Sequence, residues 1–170
     1  DTDAQILRSQ WAYTAKDPVK SFSELLEYFI NVVCMGGNLI LNISPMADGT
    51  IPEDQQDRLR RLGKWLAIFG EAVFETRPWK IHRLGESVQF TQSKDGRIIY
   101  GFYKGSFPQR LELSMLPANQ NMKVDLLENK CPLQWSLSEN GGMIIEFFNN
   151  TESYVKISED TPIQVFRITL

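Results

Sequence analysis

Apolar residues recur along this chain with two different periods. From Phe22 to Val33 they fall at Phe22, Leu25, Leu26, Phe29, Val32 and Val33, a spacing that gathers them on one face of a helix. Ser21 followed by Glu24 is an S-x-x-E capping box just ahead of that face. In such a box the hydroxyl accepts a hydrogen bond from the backbone three residues on, and the carboxylate reaches back. Gly36-Gly37 ends the helix, because glycine takes the left-handed cap conformation without strain. A second stripe, Leu59, Leu62, Leu66 and Phe69 with Trp65 beside it, predicts a helix that starts at Pro52 and stops at Gly70. Proline suits the first turn, where its missing N–H costs nothing. Glu53, Asp54 and Asp57 come early in this helix, and Arg58, Arg60, Arg61 and Lys64 come late. That order complements the helix dipole and predicts ion pairs Asp54–Arg58 and Asp57–Arg61. The cluster reads as a solvated helix face, not a phosphate site.

Between the two helices the period changes to two. In Asn38-Leu39-Ile40-Leu41-Asn42-Ile43-Ser44, the residues Leu39, Leu41 and Ile43 share one face, and Asn38, Ile40, Asn42 and Ser44 share the other. Helix, strand and helix joined by short loops form the repeating unit of a parallel sheet or a (β/α) barrel. The helices are expected to cover the Leu/Ile face. The polar face then approaches the C-terminal end of the strand, where barrels carry their active sites. Asn38 and Asn42 are therefore candidate residues near a site. The alternative is that they only hydrogen-bond neighbouring strands and loops.

Beyond residue 84 helical spacing stops and short strands take over. Ser87–Gln92, Arg97–Tyr103, Arg110–Met115, Met122–Leu127, Gly142–Phe148 and Gln164–Leu170 read as strands. Lys94-Asp95-Gly96 and Glu139-Asn140-Gly141-Gly142 are hairpin signals. The pattern predicts an antiparallel β-sandwich of about seven or eight strands. There is no internal repeat or low-complexity segment. The expected class is α+β in more than one part: the C-terminal end of a (β/α) barrel followed by an antiparallel sandwich.

Composition narrows the chemistry. The 170 residues carry 18 Lys and Arg against 21 Asp and Glu, a formal charge of −3, which gives no general reason to bind nucleic acid. No apolar run approaches the roughly 18 residues of a membrane helix, so no membrane span is expected. Cys34 lies in the apolar stretch of the first helix and reads as a core residue; Cys131 precedes Pro132 in a turn, and a bridge between the two is unsupported. His82 is the one histidine, so neither a metal site nor a Ser-His-Asp triad is expected, and no cofactor is called for. Asp1 stands where a Met would start a chain, which fits a removed leader or a boundary inside something larger.

One strand and two amphipathic helices do not close a core. Their stripes and strand edges need partners, and at about 25 cal/mol per Å² two bare helix faces cost several kcal/mol, comparable with a domain's stability. The sandwich is not expected to cover all of this, so residues 1–70 need the rest of a sheet from elsewhere.

Gly36-Gly37-Asn38-Leu39-Ile40-Leu41-Asn42-Ile43-Ser44-Pro45, followed by Asp48-Gly49-Thr50-Ile51-Pro52, resembles the end of the catalytic barrel of retaining α-L-fucosidases, glycoside hydrolase family 29, where the pattern reads GGNLLLNIGP and then DG-x-I. Arg58-Leu59, Gly63-Lys64-Trp65-Leu66 and Gly70-Glu71-Ala72-Val73-Phe74 resemble the family's GxWLxxxGEAIY stretch. Thr76-Arg77-Pro78-Trp79 is similar to its link from barrel to sandwich, and Trp11-Ala12-Tyr13 to its WGY. The resemblance covers residues 11–79; beyond it only the sandwich pattern fits.

The resemblance implies that residues 1–79 are the C-terminal segment of a catalytic barrel, incomplete alone, and that residues 80–170 are a β-sandwich domain. It implies hydrolysis of terminal α-L-fucose from glycans with retention, by an Asp nucleophile and a carboxylic acid/base. Both catalytic positions lie upstream of the WGY segment, so neither exists in this chain; Asp1 and Asp3 are the carboxylates ahead of Trp11 and are not assigned the role. The implied partner is the N-terminal part of the same enzyme, as a separate or cleaved chain. Trp11 matches an aromatic that lines the fucose pocket, and an apolar wall suits the methyl group of a 6-deoxy sugar. Asn38 and Asn42 match positions read as scaffold around the site. Ala12 and Ser44 replace glycines of the family pattern, which puts the local loop shape in question. A secreted, periplasmic or lysosomal location follows from the resemblance. Asn42-Ile43-Ser44 and Asn149-Asn150-Thr151 fit the glycosylation pattern, the first on a buried strand. Two other readings stay open: a non-catalytic carbohydrate-binding or structural sandwich piece, and a catalytically degenerate relative.

Overall fold

A computed structural model describes residues 2–147 and 162–170. Asp1, Phe148 and the pattern Asn149-Asn150-Thr151 lie outside the described residues. The chain is α+β, and its sheets are mostly antiparallel. In order it runs β1 (Thr2–Gln5), α1 (Phe22–Cys34), β2 (Leu39–Asn42), α2 (Glu53–Phe69), a 3-10 turn (Gly70–Ala72), and then β3 (Thr76–Leu84), β4 (Val88–Ser93), β5 (Ile98–Lys104), β6 (Arg110–Leu113), β7 (Lys123–Leu126), β8 (Gln134–Leu137), β9 (Met143–Glu146) and β10 (Ile163–Thr169).

The strands form three sheets. β1 and β2 pair in parallel, Thr2 opposite Leu39 and Gln5 opposite Asn42. β3-β4-β5-β10-β7 form an antiparallel five-stranded sheet, and β6-β9-β8 an antiparallel three-stranded one. All six strand runs read from the sequence are present. β1, β3 and β8 are additional. The junction expected at 79/80 falls inside β3, which pairs with β4 from Thr76 onward.

The five-stranded sheet is buried on both faces, and this decides the packing. Along β5, Ile99 faces the three-stranded sheet, while Tyr100 and Phe102 face the helices. Along β10, Phe166 and Ile168 face the first way and Ile163 and Val165 the second. A continuous apolar run such as Ile98–Tyr103 is what a strand needs when neither face meets water. On the side facing the three-stranded sheet Phe166 stands edge-on to Phe90 at 6.4 Å and to Phe147 at 6.0 Å, and Phe107 stacks on Phe147 at 4.1 Å. Gly101, directly opposite Phe166 in the register, lets that ring lie flat, since a Cβ there would sit 2.0 Å from it.

On the other side Phe22, Leu26, Ile30 and Cys34 of α1 and Trp65 and Phe69 of α2 pack on the same sheet. Of the surfaces expected to need partners, the helix stripes are covered by the second face of the five-stranded sheet, while the β1–β2 sheet has no further strand on either side among the described residues. Trp65 is buried in the middle of this contact rather than beside the stripe, and its indole N–H donates to the Ile163 carbonyl at 3.1 Å. Cys34 is a core thiol as its sequence context predicts; burial pushes it up to about 12, and both cysteines are free.

The caps follow the sequence. Ser21 and Glu24 form the capping box, and Gly36 closes α1 in the left-handed region at φ 82°. α2 differs in detail. Asp57 and Arg61 meet at 3.8 Å, but the expected Asp54–Arg58 pair gives way: Asp54 accepts from the Gln55 backbone at 2.8 Å, while Arg58 pairs with Asp57 and donates to the Lys20 carbonyl at 2.9 Å. Gly70 stops α2 without a left-handed turn; it is pressed against the Phe74 ring, 2.9 Å from where a Cβ would stand.

Candidate functional site

The site is built on the loop that joins β1 to α1. Leu7 and Val19 close its neck as an antiparallel bridge, with Lys20 N–H on the Ile6 carbonyl at 3.0 Å and Arg8 N–H on the Pro18 carbonyl at 3.1 Å. The Lys20 ammonium reaches the carbonyls of Gln5 and Leu7, both at 2.6 Å, and so satisfies the end of β1. Burial, with Arg8 nearby, holds that ammonium below its ordinary range. Inside the loop the Asp17 carboxylate accepts from the backbones of Ser9 at 3.0 Å and Gln10 at 2.7 Å. Burial pushes this carboxyl up, but those hydrogen bonds outweigh it and leave Asp17 below its usual value. Two polar ties therefore hold a segment with little apolar burial of its own, and Trp11 rides at its tip with 54% of its surface exposed.

Two side chains, one at the end of β2 and one just beyond it, grip Trp11 by its backbone. Asn42 Nδ2 donates to the Trp11 carbonyl at 3.0 Å, and Ser44 Oγ donates to the same oxygen at 2.9 Å. Ser44 is itself held by Gln55 of α2. Its N–H donates to Gln55 Oε1 at 2.8 Å, and its carbonyl accepts from Gln55 Nε2 at 3.1 Å. Gln55 is fully buried, so these bonds offset the cost of taking an amide out of water. Leu41 and Ile43, on the other face of the strand, pack with Ile6, Leu7 and Leu25, as the alternation predicts.

The structure brings Asn42 to Trp11 and leaves Asn38 away from it. Asn38 immediately precedes β2, and its carbonyl accepts the Thr2 N–H at 2.8 Å, about four residues and roughly 13 Å along the chain from Asn42. The Asn42 amide is committed to the Trp11 carbonyl. Ser44 and Gln55 were not picked out from the sequence as site residues. The signal for Ser44 is its departure from glycine; Gln55, one polar residue among many on α2, carries none.

A cavity of about 430 Å³ opens beside Trp11, bounded by Asp3, Gln5, Lys20, Glu24 and Tyr28. Glu24 makes no general acid there. The Ser21 hydroxyl, the Ser21 backbone and Arg8 hold its carboxyl down to about 2, and its Oε2 already takes Ser21 N–H and Arg8 Nη2, each at 2.7 Å. His82 is exposed on β3, outside the cavity. Among the described residues no group of three or more His, Cys, Asp or Glu is placed to hold a metal ion, and no helix is long and apolar enough to cross a membrane.

Comparison with known proteins bears on this same region. The family model described as Alpha-L-fucosidase matches residues 1–71. The plasma α-L-fucosidase of Rattus norvegicus is 31% identical over 143 residues, covering 80% of this chain and 31% of that protein. The tissue α-L-fucosidase of Bos taurus is 33% identical over 127 residues, covering 74% of this chain and 26% of that protein. Among solved structures, α-L-fucosidase isoenzyme 1 from Paenibacillus thiaminolyticus superimposes with a TM-score of 0.80 at 19% identity, over 99% of this chain and 39% of its own. Thermotoga maritima α-fucosidase, in complex with a mechanism-based inhibitor, does so with a TM-score of 0.79 at 21% identity, over 99% and 38%. The chain thus spans about a third of the length of the relatives it matches. It is related to the α-L-fucosidases, and residues 1–71 carry that family's pattern.

Proposed function

We propose that this chain is the C-terminal portion of an α-L-fucosidase, a glycoside hydrolase that removes terminal α-L-fucose from glycans with retention. In this reading β1, α1, β2 and α2 are the closing part of a catalytic (β/α) barrel within residues 1–79. Residues 80–170 form the sandwich, and the passage between the two runs through β3. The catalytic nucleophile and acid/base belong to an upstream part of the same enzyme, which pairs with the edges of the β1–β2 sheet. Two carboxyl groups about 5–5.5 Å apart are what retention requires, one attacking the anomeric carbon and the other protonating the leaving oxygen and then activating water. This chain contributes the wall. Trp11 offers an apolar ring to the methyl-bearing edge of fucose, and Asn42 is scaffold behind it. A secreted, periplasmic or lysosomal location goes with this reading.

The observation that carries it is the parallel β1–β2 pair. Two four-residue strands, flanked by helices in alternating order, form a sheet with no further strand on either side among the described residues. A sheet that small is marginal by itself and is the shape of a barrel segment awaiting neighbours. The test is hydrolysis of a chromogenic α-L-fucoside. The chain alone is expected to be inactive, and the chain combined with its upstream part active. Enzyme-like turnover by these 170 residues alone overturns the reading.

A further inference from the structure

We propose that Ser44 and Gln55 are positioning residues for the Trp11 wall, acting through the Trp11 backbone rather than its indole. The inference deepens the fucosidase reading and rests on it for its functional consequence. Its structural part rests on four hydrogen bonds. Gln55, fully buried in the first turn of α2, satisfies both backbone groups of Ser44 with one side chain, at 2.8 and 3.1 Å. That reciprocal pair locks the position of Ser44 to the helix. From there the Ser44 hydroxyl donates to the Trp11 carbonyl at 2.9 Å, beside Asn42 at 3.0 Å. Two donors on one carbonyl occupy both of its lone pairs and fix the plane of the Trp11–Ala12 peptide. The indole is more than half exposed, so few packing contacts anchor it, and the held backbone fixes the point from which its side chain projects. A side chain that served only to fill space at Gln55 would be apolar, because a buried amide is costly unless bonded. α2 thereby reaches Trp11, through Gln55 and Ser44, without touching a substrate.

A wall held this way changes how tightly a sugar is bound, not how its bond is cleaved. Loss of the tie therefore raises KM and leaves kcat. The test labels the protein with 5-fluorotryptophan and follows its fluorine resonances, with that of Trp11 assigned by Trp11→Phe. Ser44→Ala and Gln55→Leu are each expected to shift or broaden the Trp11 resonance and to leave those of Trp65, Trp79 and Trp135 in place. An unmoved Trp11 resonance in folded Ser44→Ala overturns the proposal; that variant removes one hydroxyl, so it decides the matter if Gln55→Leu does not fold. In the chain joined to its upstream part, Ser44→Ala is expected to raise KM for the chromogenic fucoside about three- to tenfold, the scale of one hydrogen bond, with kcat unchanged. An equal fall in kcat and kcat/KM also overturns it. If the parent protein hydrolyses no fucoside, the fucosidase reading fails, and the fluorine spectra still judge Ser44 and Gln55.

Discussion

The five-stranded sheet and the two-stranded sheet of this chain follow opposite rules. The larger is covered on both sides, by helices on one and by β6-β9-β8 on the other, and Phe90, Phe166 and Trp65 within its two contacts are each no more than 1% exposed. The smaller has one covered face, where Leu41 and Ile43 meet Leu25, and one open face, where Ile40 is 56% exposed. Every apolar side chain of β5 and β10 has a partner in the chain, whereas β2 and Trp11 offer surface with little opposite it. The helices belong to both regions. Their stripes are satisfied by the larger sheet, so they do not signal that anything is missing. What is left wanting is the edges and open face of the smaller sheet.

This contrast is broken most forcefully in the helix contact. Trp65→Ala and Phe166→Ala remove large buried rings from opposite faces of one sheet, and each is expected to cost about 3–5 kcal/mol in denaturant unfolding. If α1 and α2 were a separate part, Trp65→Ala would leave the main unfolding transition where it was. Gly101→Ala comes next, at about 1–3 kcal/mol, because its Cβ must displace the Phe166 ring.

A smaller effect concerns the tie between loop and helix. The Glu24 carboxyl sits near 2 in the folded chain against an ordinary 4.5, so the ionised form favours folding. That contribution is complete above pH 4.5 and is lost as pH falls from there towards 2. Protection of the amides in residues 8–21, taken relative to the intrinsic exchange rate at each pH, is therefore expected to fall over that interval, and Glu24→Gln to remove the Glu24 share and leave that of Asp17, which holds the Ser9 and Gln10 backbones; an unchanged profile in that variant rules the tie out. The smallest effect on stability belongs to Ile40→Ser. On an open face it is expected to move the chain's own stability by no more than about 0.5 kcal/mol while weakening association with the upstream part. A large destabilisation of the isolated chain shows that the face is not open.

Where local chemistry decides, the sequence was readable. The Ser21/Glu24 box, Gly36 and the six strand runs each act within a few residues. β1 reads as polar in Thr2-Asp3-Ala4-Gln5 and is a strand because β2 pairs with it. β3 hides behind Pro78, and β8 is short, with one aromatic in Gln134-Trp135-Ser136-Leu137. The cover over the helices was in principle legible, since Ile98–Tyr103 is apolar without alternation, the mark of a strand buried twice. At the site, Trp11 and Asn42 stand out through the motif. The grip of Ser44 and Gln55 does not, because it depends on the path of a loop that brings residue 44 to residue 11.

The proposed fucosidase reading requires the β5–β10 pairing to be stable within this chain and the β1–β2 sheet to gain neighbours from an upstream part. Backbone amide hydrogen exchange tests this directly, with the chain alone and with its upstream part added. In the isolated chain the amides of β5 and β10 should exchange slowly and those of β1 and β2 rapidly, and addition of the upstream part should slow β1 and β2 alone. Amides of β1 and β2 as slow as those of β10 in the isolated chain would contradict it.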